Sequence, residues 1–390
     1  MNNVVTAKTN AATGLLQASS SGRYLALDVL RGLTVALMIV VNNPGSWGSI
    51  YAPFKHAAWH GFTITDLVFP SFLFAVGNAM SFSMRKFESY PESAFLKKVF
   101  KRTALIFLIG LFLNLFPFIT RDPEGQIVLK DFTAVRIMGV LQRIALCYCI
   151  ASLVVHYLRY KGTLAFGFIT LLAYWAISYF FGGSDPYSLE GNAALKFDRL
   201  LLPEENMYKG FGIPFDPEGL LSSLPATVNV LAGYIAGIFI QKHGNNGTTV
   251  FKLSIAGAVL VAIALLWDFY FPINKPLWTS SYVLHSVGLS LLILAALIYI
   301  LEIAGLVRLG HFFEAFGKNP LFIFALATLL IKALNFIRIG DISLQKWLYE
   351  HLFLTWSEGK TASLLFALSY MLLMWVIGFW MDRKKIYVKV

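Results

Sequence analysis

Residues 54–83 read FKHAAWHGFTITDLVFPSFLFAVGNAMSFS. The first part puts two histidines, a lysine and a tryptophan on a polar connection. From residue 63 the chain turns apolar for about twenty residues, the length a helix needs to cross a hydrocarbon core about 30 Å thick. Asp66 sits in the first turns of that helix and Pro70 kinks it one turn further on. Runs of the same kind recur along the chain, near 27–43, 63–83, 103–119, 137–157, 163–181, 222–241, 251–271, 281–301, 319–337 and 361–381. The expected fold is an all-α integral membrane protein of about ten transmembrane helices.

Composition agrees. Of the 390 residues 57% are hydrophobic and 14% charged, against roughly 25% charged in soluble domains. No polar stretch is long enough for a soluble domain, so the chain divides into a flexible cytoplasmic N-terminal segment, 1–22, and one multi-pass domain, 23–390. The segment before the first helix has no compact apolar region and no small-residue cleavage site ahead of its charges, so no cleaved signal peptide is expected. Cys147 and Cys149 lie two apart on one helix and point to different faces, which does not suit a disulfide.

The net charge of +11 is unevenly placed. Arg85, Lys86, Lys97, Lys98, Lys101 and Arg102 share one connection, and Arg383, Lys384, Lys385 and Lys389 share the C-terminal tail. The alternate connections hold Asp122, Glu124, Asp185, Glu190, Asp198, Glu204, Glu205, Asp216, Glu218, Asp341, Glu350 and Glu358. This is the asymmetry of a positive-inside topology rather than a nucleic-acid footprint. It places both termini in the cytoplasm and residues 44–62 and 182–221 outside. The tetrapeptide DPEG occurs at 122–125 and 216–219, each time suited to a tight turn. The 182–221 connection is too long and aromatic for a linker and should be packed or functional.

Several polar residues are costly for a membrane to keep. Asp28 and Arg31, three apart, can pair at the start of the first helix. Alternatively, Arg31 with Arg23 and the basic 97–102 run can attract a phosphorylated ligand. Gln142 and Arg143 lie deeper than snorkelling explains, which calls for a partner or a wet cavity. Asn42 and Asn43 end the first helix before Pro44, and their amides could also donate to an oxyanion. His56 and His60, four apart, could share a zinc ion, but Ala57 stands where a metalloprotease helix has glutamate and no third ligand is near. Asp66 could instead orient His56 and stabilise its imidazolium, as in acyl-transfer triads. No GxSxG motif occurs, and GKNP at 317–320 lacks the rest of a phosphate loop.

The stretches LDVLRG, FKHAAWHGFTITDLVFPSFLF, GVLQR, FDRLLL, FDPEGLLSSLPA and PINKPLWTSSYV resemble, in order and spacing, the heparan-α-glucosaminide N-acetyltransferase family. The chain is also similar to bacterial proteins of that family encoded with N-acetylglucosamine utilisation functions. The resemblance implies transfer of an acetyl group from cytoplasmic acetyl-CoA to the amino group of a glucosamine-type sugar across the membrane. It places the essential histidine on His56, the helix-2 aspartate on Asp66 and the asparagine after helix 1 on Asn42. The lysosomal member carries asparagine where this chain has His60, which argues against a paired-histidine metal site. By this resemblance the chain is expected to depart from that member in its luminal N-terminal region, and it reads NPGSWGS after Asn42.

On this reading Arg31, Arg143 and Gln142 contact acetyl-CoA. Lys55, Trp59, His60, Asp216, Glu218 and Asn274 surround the acceptor, and no metal is required. His56 acts either as general base or as the carrier of an acetyl group. The expected setting is the bacterial inner membrane, with a bilayer and an amino sugar as partners, no nucleic acid, and pairing into a homodimer left open. The alternative from another class is a permease for N-acetylglucosamine or a related sugar, which would show two matched half-repeats with interrupted helices.

Overall fold

The computed structural model describes residues 24–87 and 90–388. The expected 1–22 segment, Arg23 and Lys389 lie outside the described residues. Helix α1, Leu25–Asn42, stops ahead of Pro44, which cannot follow a helical residue without a clash. After a loop containing one short turn, Ala52–Phe54, α2 runs Ile64–Phe87 with Pro70 inside it. Helix α3, Glu92–Leu115, starts after Pro91. A small hairpin, β1 Ile119–Arg121 with β2 Ile127–Leu129, follows it.

The expected windows 137–157 and 163–181 form one element, α4, Val140–Phe181, broken at Arg159, where φ is 57° and ψ is −169°. Next come α5, Ala193–Leu201, α6, Ser223–His243, and α7, Gly247–Trp267. Helix α8, Ser280–Ile298, runs on through a wide turn, Tyr299–Ile303. Two helices, α9 Arg308–Lys318 and α10 Pro320–Phe336, meet at a 72° bend. A second hairpin, β3 Arg338–Ile339 with β4 Ile342–Ser343, then α11, Leu344–Leu352, and α12, Gly359–Arg383, complete the chain.

Among the described residues seven helices are long and apolar enough to cross a membrane, or eight if the bent pair is one span. The chain is a multi-pass membrane protein. The sequence count of about ten treats the two parts of α4, which the break at Arg159 separates, as two spans and includes α3, whose first half carries Lys97, Lys98, Lys101 and Arg102.

Burial sorts the helices into layers. Helices α1, α2 and α6 bury 67%, 72% and 67% of their apolar windows inside the protein, against 22% for α7. The first group is the core, joined by the first half of α4 with its buried Arg143, Cys147 and Tyr148, while α7 and the second half of α4 turn apolar side chains outward, where lipid replaces protein. Helices α2 and α6 touch backbone to backbone: a side-chain carbon on Gly77 would collide with the Val230 carbonyl, and one on Gly233 with the Phe74 carbonyl.

The 182–221 connection is packed, as its composition suggested. Met138, Leu195, Leu202, Met207, Phe215 and Leu277 form a second apolar cluster, against which Trp59 packs. Asn206 donates to the Thr133 and Val135 carbonyls at 2.6 and 2.8 Å, tying this connection to the one before α4. Both DPEG segments close as turns, with Gly125 donating to the Asp122 carbonyl and Gly219 to that of Asp216, each at 3.0 Å. The first is an exposed hairpin tip; the second is largely buried and faces the end of the bundle where residues 54–66 lie.

Candidate active site

Asp66 organises that end. Its side chain is 1% exposed, and each oxygen is used. Oδ1 accepts from His56 Nδ1 at 2.6 Å, while Oδ2 accepts from the backbone N–H groups of Ala57 and Thr63, both at 3.1 Å. The Thr63 hydroxyl donates to the Lys55 carbonyl at 2.7 Å. One carboxylate at the helix start thus folds residues 55–63 back over itself and sets the His56 ring, whose side chain is 50% exposed.

Pro70 contributes as well. In a regular helix the Asp66 carbonyl would accept from the N–H of residue 70, and proline has none. The Tyr282 hydroxyl of α8 donates to that carbonyl at 2.7 Å instead.

A second segment, 271–279, clasps the same loop. The Ile273 carbonyl accepts from Gly61 N at 2.8 Å. Asn274 donates to the Trp59 carbonyl at 3.0 Å and lies 3.3 Å from His60 Nδ1. Lys275 Nζ lies 3.2 Å from His56 Nδ1 and 3.6 Å from Asp66 Oδ1. Burial draws the Lys275 ammonium below the ordinary lysine range, against the opposing pull of Asp66. Burial likewise lowers the His60 ring, with Asp185 and Asp268 acting the other way.

Between these segments and the 182–221 connection opens a cavity of about 540 Å³, into which His56, Asp66, Arg136, Tyr208, Glu218, Lys275 and Trp278 all face. Arg136 binds Asp216 through two bonds of 2.9 and 2.6 Å and Glu218 through one of 2.5 Å. Its guanidinium carbon lies 4.7 Å from the Tyr208 ring centre. Burial works against its charge, but Asp216 and Glu218 outweigh that and hold it above the ordinary arginine value.

Behind Trp278, Arg143 stacks 4.7 Å from the indole and donates to the Gly219 carbonyl and the Ser222 hydroxyl. Its Nε and Nη1 and the Oδ2 of Asp198 are buried without hydrogen-bond partners. Burial pushes the Asp198 carboxyl up to about 6, although the Leu221 N–H, the Arg143 charge and the Leu220 N–H all favour its ionised form.

The sequence candidates separate. His56, Asp66 and Glu218 line the cavity, and Asp216 buttresses its Arg136. Trp59 is anchored by its indole N–H to the Tyr187 carbonyl at 2.8 Å; with His60 and Asn274 it braces the loop rather than lining the cavity. Lys55 is exposed on the same loop. Asn42 is exposed at the end of α1 and is not part of the cavity wall. Gln142 is buried and presses on Gly110 of α3.

Arg31 lies toward the far end of α1, bonded to Asp28 at 2.8 Å and to the Gly317 carbonyl at 2.6 Å. There it lines a separate cavity of about 260 Å³ with Tyr24, Asn78 and Phe82. Arg31 and Arg143 therefore lie by different cavities, Arg143 behind the Trp278 wall of the larger one. Reasoning from sequence missed Arg136, Tyr208, Lys275, Trp278 and Tyr282. The only signal for Lys275 was its place between Pro272 and Pro276 in PINKPLW, and Arg136 had none.

A sequence model described as heparan-alpha-glucosaminide N-acetyltransferase, catalytic, matches residues 23–262. The chain belongs to this family. It is 27% identical to the heparan-alpha-glucosaminide N-acetyltransferase of Mus musculus over 363 residues, covering 78% of this chain and 53% of that protein. It is also 27% identical to the Homo sapiens protein of the same name over 356 residues, covering 77% and 52%. The chain thus spans about half the length of the curated relatives it matches. His56, Asp66, Arg136, Arg143 and Glu218 all fall inside the matched family region, while Lys275 and Tyr282 lie beyond it.

Proposed function

We propose that the chain is a membrane-bound N-acetyltransferase that moves an acetyl group from acetyl-CoA to the amino group of a glucosamine-type sugar, with His56 as the reacting centre. The observation that carries this reading is the 2.6 Å bond from His56 to buried Asp66 at the wall of a cavity large enough for a sugar. With Nδ1 committed to Asp66, Nε2 is the ring nitrogen left to accept a proton.

The acceptor enters as an ammonium, for which Glu218 is the wall carboxylate not bonded to His56; Tyr208, Phe211 and Trp278 supply apolar faces for the sugar ring. The ammonium first gives one proton through His56 to water, and the freed amine attacks the thioester carbonyl with His56 neutral again. A C–N bond forms as the C–S bond breaks, His56 takes the second proton from the amine nitrogen, and that proton passes to the departing thiolate. General-base help of this kind is worth about 10²–10⁴ in rate.

The donor reaches the same centre from the basic end of the bundle. In support, the cavity beside Arg31 holds Asn78, whose amide nitrogen and oxygen are both buried without partners and could take up polar groups of a ligand. Asn42, assigned to the oxyanion by the family resemblance, would have to approach through movement of the segment that follows it.

In the topology that goes with this mechanism, α4 crosses twice, α3 crosses once and the bent α9–α10 pair counts as one, giving about ten crossings. Both termini are cytoplasmic, and the His56 cavity opens to the periplasm of a bacterial inner membrane. The test is incubation of the purified protein in nanodiscs with labelled acetyl-CoA and glucosamine or short amino-sugar oligosaccharides. Labelled N-acetyl product is the expected result. Sugar uptake into vesicles without acetylation would overturn the reading in favour of a permease.

A further inference from the structure

A histidine paired with a buried carboxylate has a built-in drawback as a base. The carboxylate stabilises the imidazolium, so the pair tends to keep the proton it is meant to pass on. A third charge stands against the pair in this protein. Lys275 Nζ lies 3.2 Å from His56 Nδ1 and 3.6 Å from Asp66 Oδ1.

The lysine is fixed from behind. Its carbonyl accepts from Trp278 N at 3.0 Å, Asn274 Oδ1 accepts from Leu277 N at 2.8 Å, and Pro276 follows it. Since His56 Nδ1 already donates to Asp66, the ammonium has no acceptor on that nitrogen. It balances the carboxylate and opposes any second positive charge on the ring.

The charged groups around the pair are Asp66 on α2, Lys275 on the 271–279 segment, Arg136 and Glu218 across the cavity and Arg143 behind Trp278. Arg136 is held by Asp216 and Glu218, and Arg143 stacks behind the Trp278 indole. Among the described residues Lys275 is the cation in contact with the imidazole.

We propose that Lys275 is a positioning residue that keeps His56 neutral, with its proton on Nδ1 toward Asp66 and Nε2 bare toward the cavity. The proposal deepens the reading of His56 as the proton-accepting centre. Lys275 needs no contact with substrate for this role; it acts through His56 and Asp66. Because burial already draws its own ammonium below the ordinary range, the arrangement also has an upper pH bound, reached when Lys275 loses its proton.

Diethyl pyrocarbonate acylates only the unprotonated imidazole, so the rate of labelling of the His56 peptide against pH, followed by mass spectrometry, reports the neutral ring without any turnover. Wild type, Lys275→Met and Lys275→Arg are compared from about pH 5 to about pH 8, the range in which histidine changes charge. In Lys275→Met the labelling midpoint should rise by about one pH unit, a tenfold loss of neutral ring below both midpoints. Lys275→Arg keeps the charge and should stay near wild type. If the methionine variant does not survive purification, Lys275→Gln is judged by the same criterion.

A rise of less than about half a unit in the neutral variant, or an equal rise in Lys275→Arg, overturns the proposal, since a structural lysine would not move the midpoint by its charge. Labelling and acetyl transfer fail separately. A shifted midpoint in a protein that acetylates nothing upholds this role and overturns the acetyltransferase reading. An unshifted midpoint in an active enzyme does the reverse.

Discussion

The bond from Tyr282 to the Asp66 carbonyl gives a prediction with an internal control. Tyr282→Phe removes one hydroxyl from a fully buried side chain and leaves the Asp66 carbonyl without its 2.7 Å donor. Pro70 offers no N–H to replace it, so the cost is that of a buried unsatisfied acceptor, about 1–3 kcal/mol. At an unfolding entropy of about 2.1 cal/mol/K per residue, that lowers the thermal midpoint of a chain of this size by ~1–4 °C. In a Pro70→Ala background the alanine N–H can close the regular helical bond to Asp66. There the same Tyr282→Phe change should be nearly neutral, giving a coupling energy of about 1–2 kcal/mol in the double-mutant cycle. Intrinsic-fluorescence melting of the four proteins in one detergent measures it. Equal losses in the proline and alanine backgrounds would refute the idea that Tyr282 supplies the donor Pro70 lacks.

Arg136→Met should destabilise by about 3 kcal/mol or more, because it leaves the buried Asp216 carboxylate uncompensated; Arg136→Lys should recover only part of this, since it cannot reproduce the two-bond grip, and melting curves read both. Asp198 predicts a pH dependence. Its folded carboxyl is raised from 3.8 to about 6, so the folded state binds the extra proton and stability falls as pH rises from the unfolded value to the folded one. The total is about 3 kcal/mol. Asp198→Asn, which keeps an acceptor for the Leu220 and Leu221 N–H groups, should flatten that slope, and a midpoint still falling over the same window would contradict the assignment. In a cysteine-free background, an impermeant thiol reagent on intact cells should label Lys55→Cys and spare Lys98→Cys; strong labelling at position 98 would reverse the proposed orientation.

The helices were legible because long apolar windows announce themselves, and even the break at Arg159 was visible as the polar triplet Arg159, Tyr160, Lys161 between two windows. Helix α9 was not, since RLGHFFEAFGK is half polar and leans on α1 through Gly317. His56 and Asp66 could be paired from sequence because they are ten residues apart and the second dips into a helix. Lys275 and Arg136 could not, because their partners are distant in the chain and no periodicity links them. Asn274 was expected to surround the acceptor but braces the loop at Trp59 and His60 instead of facing the cavity. Arg143 shows the limit of reading charge alone: a lone arginine in an apolar helix calls for a partner, and the sequence does not name the Trp278 ring, the Gly219 carbonyl and the Ser222 hydroxyl that it meets.

The central claim is that His56, set by Asp66, carries the chemistry. Its most direct test is acetyl transfer from labelled acetyl-CoA to glucosamine in proteoliposomes by wild type, His56→Ala and His60→Asn, each shown to be folded by its melting curve. Transfer by wild type and by His60→Asn, with His56→Ala reduced by at least about 10²-fold, is the predicted result. Transfer by His56→Ala at the wild-type rate would contradict it.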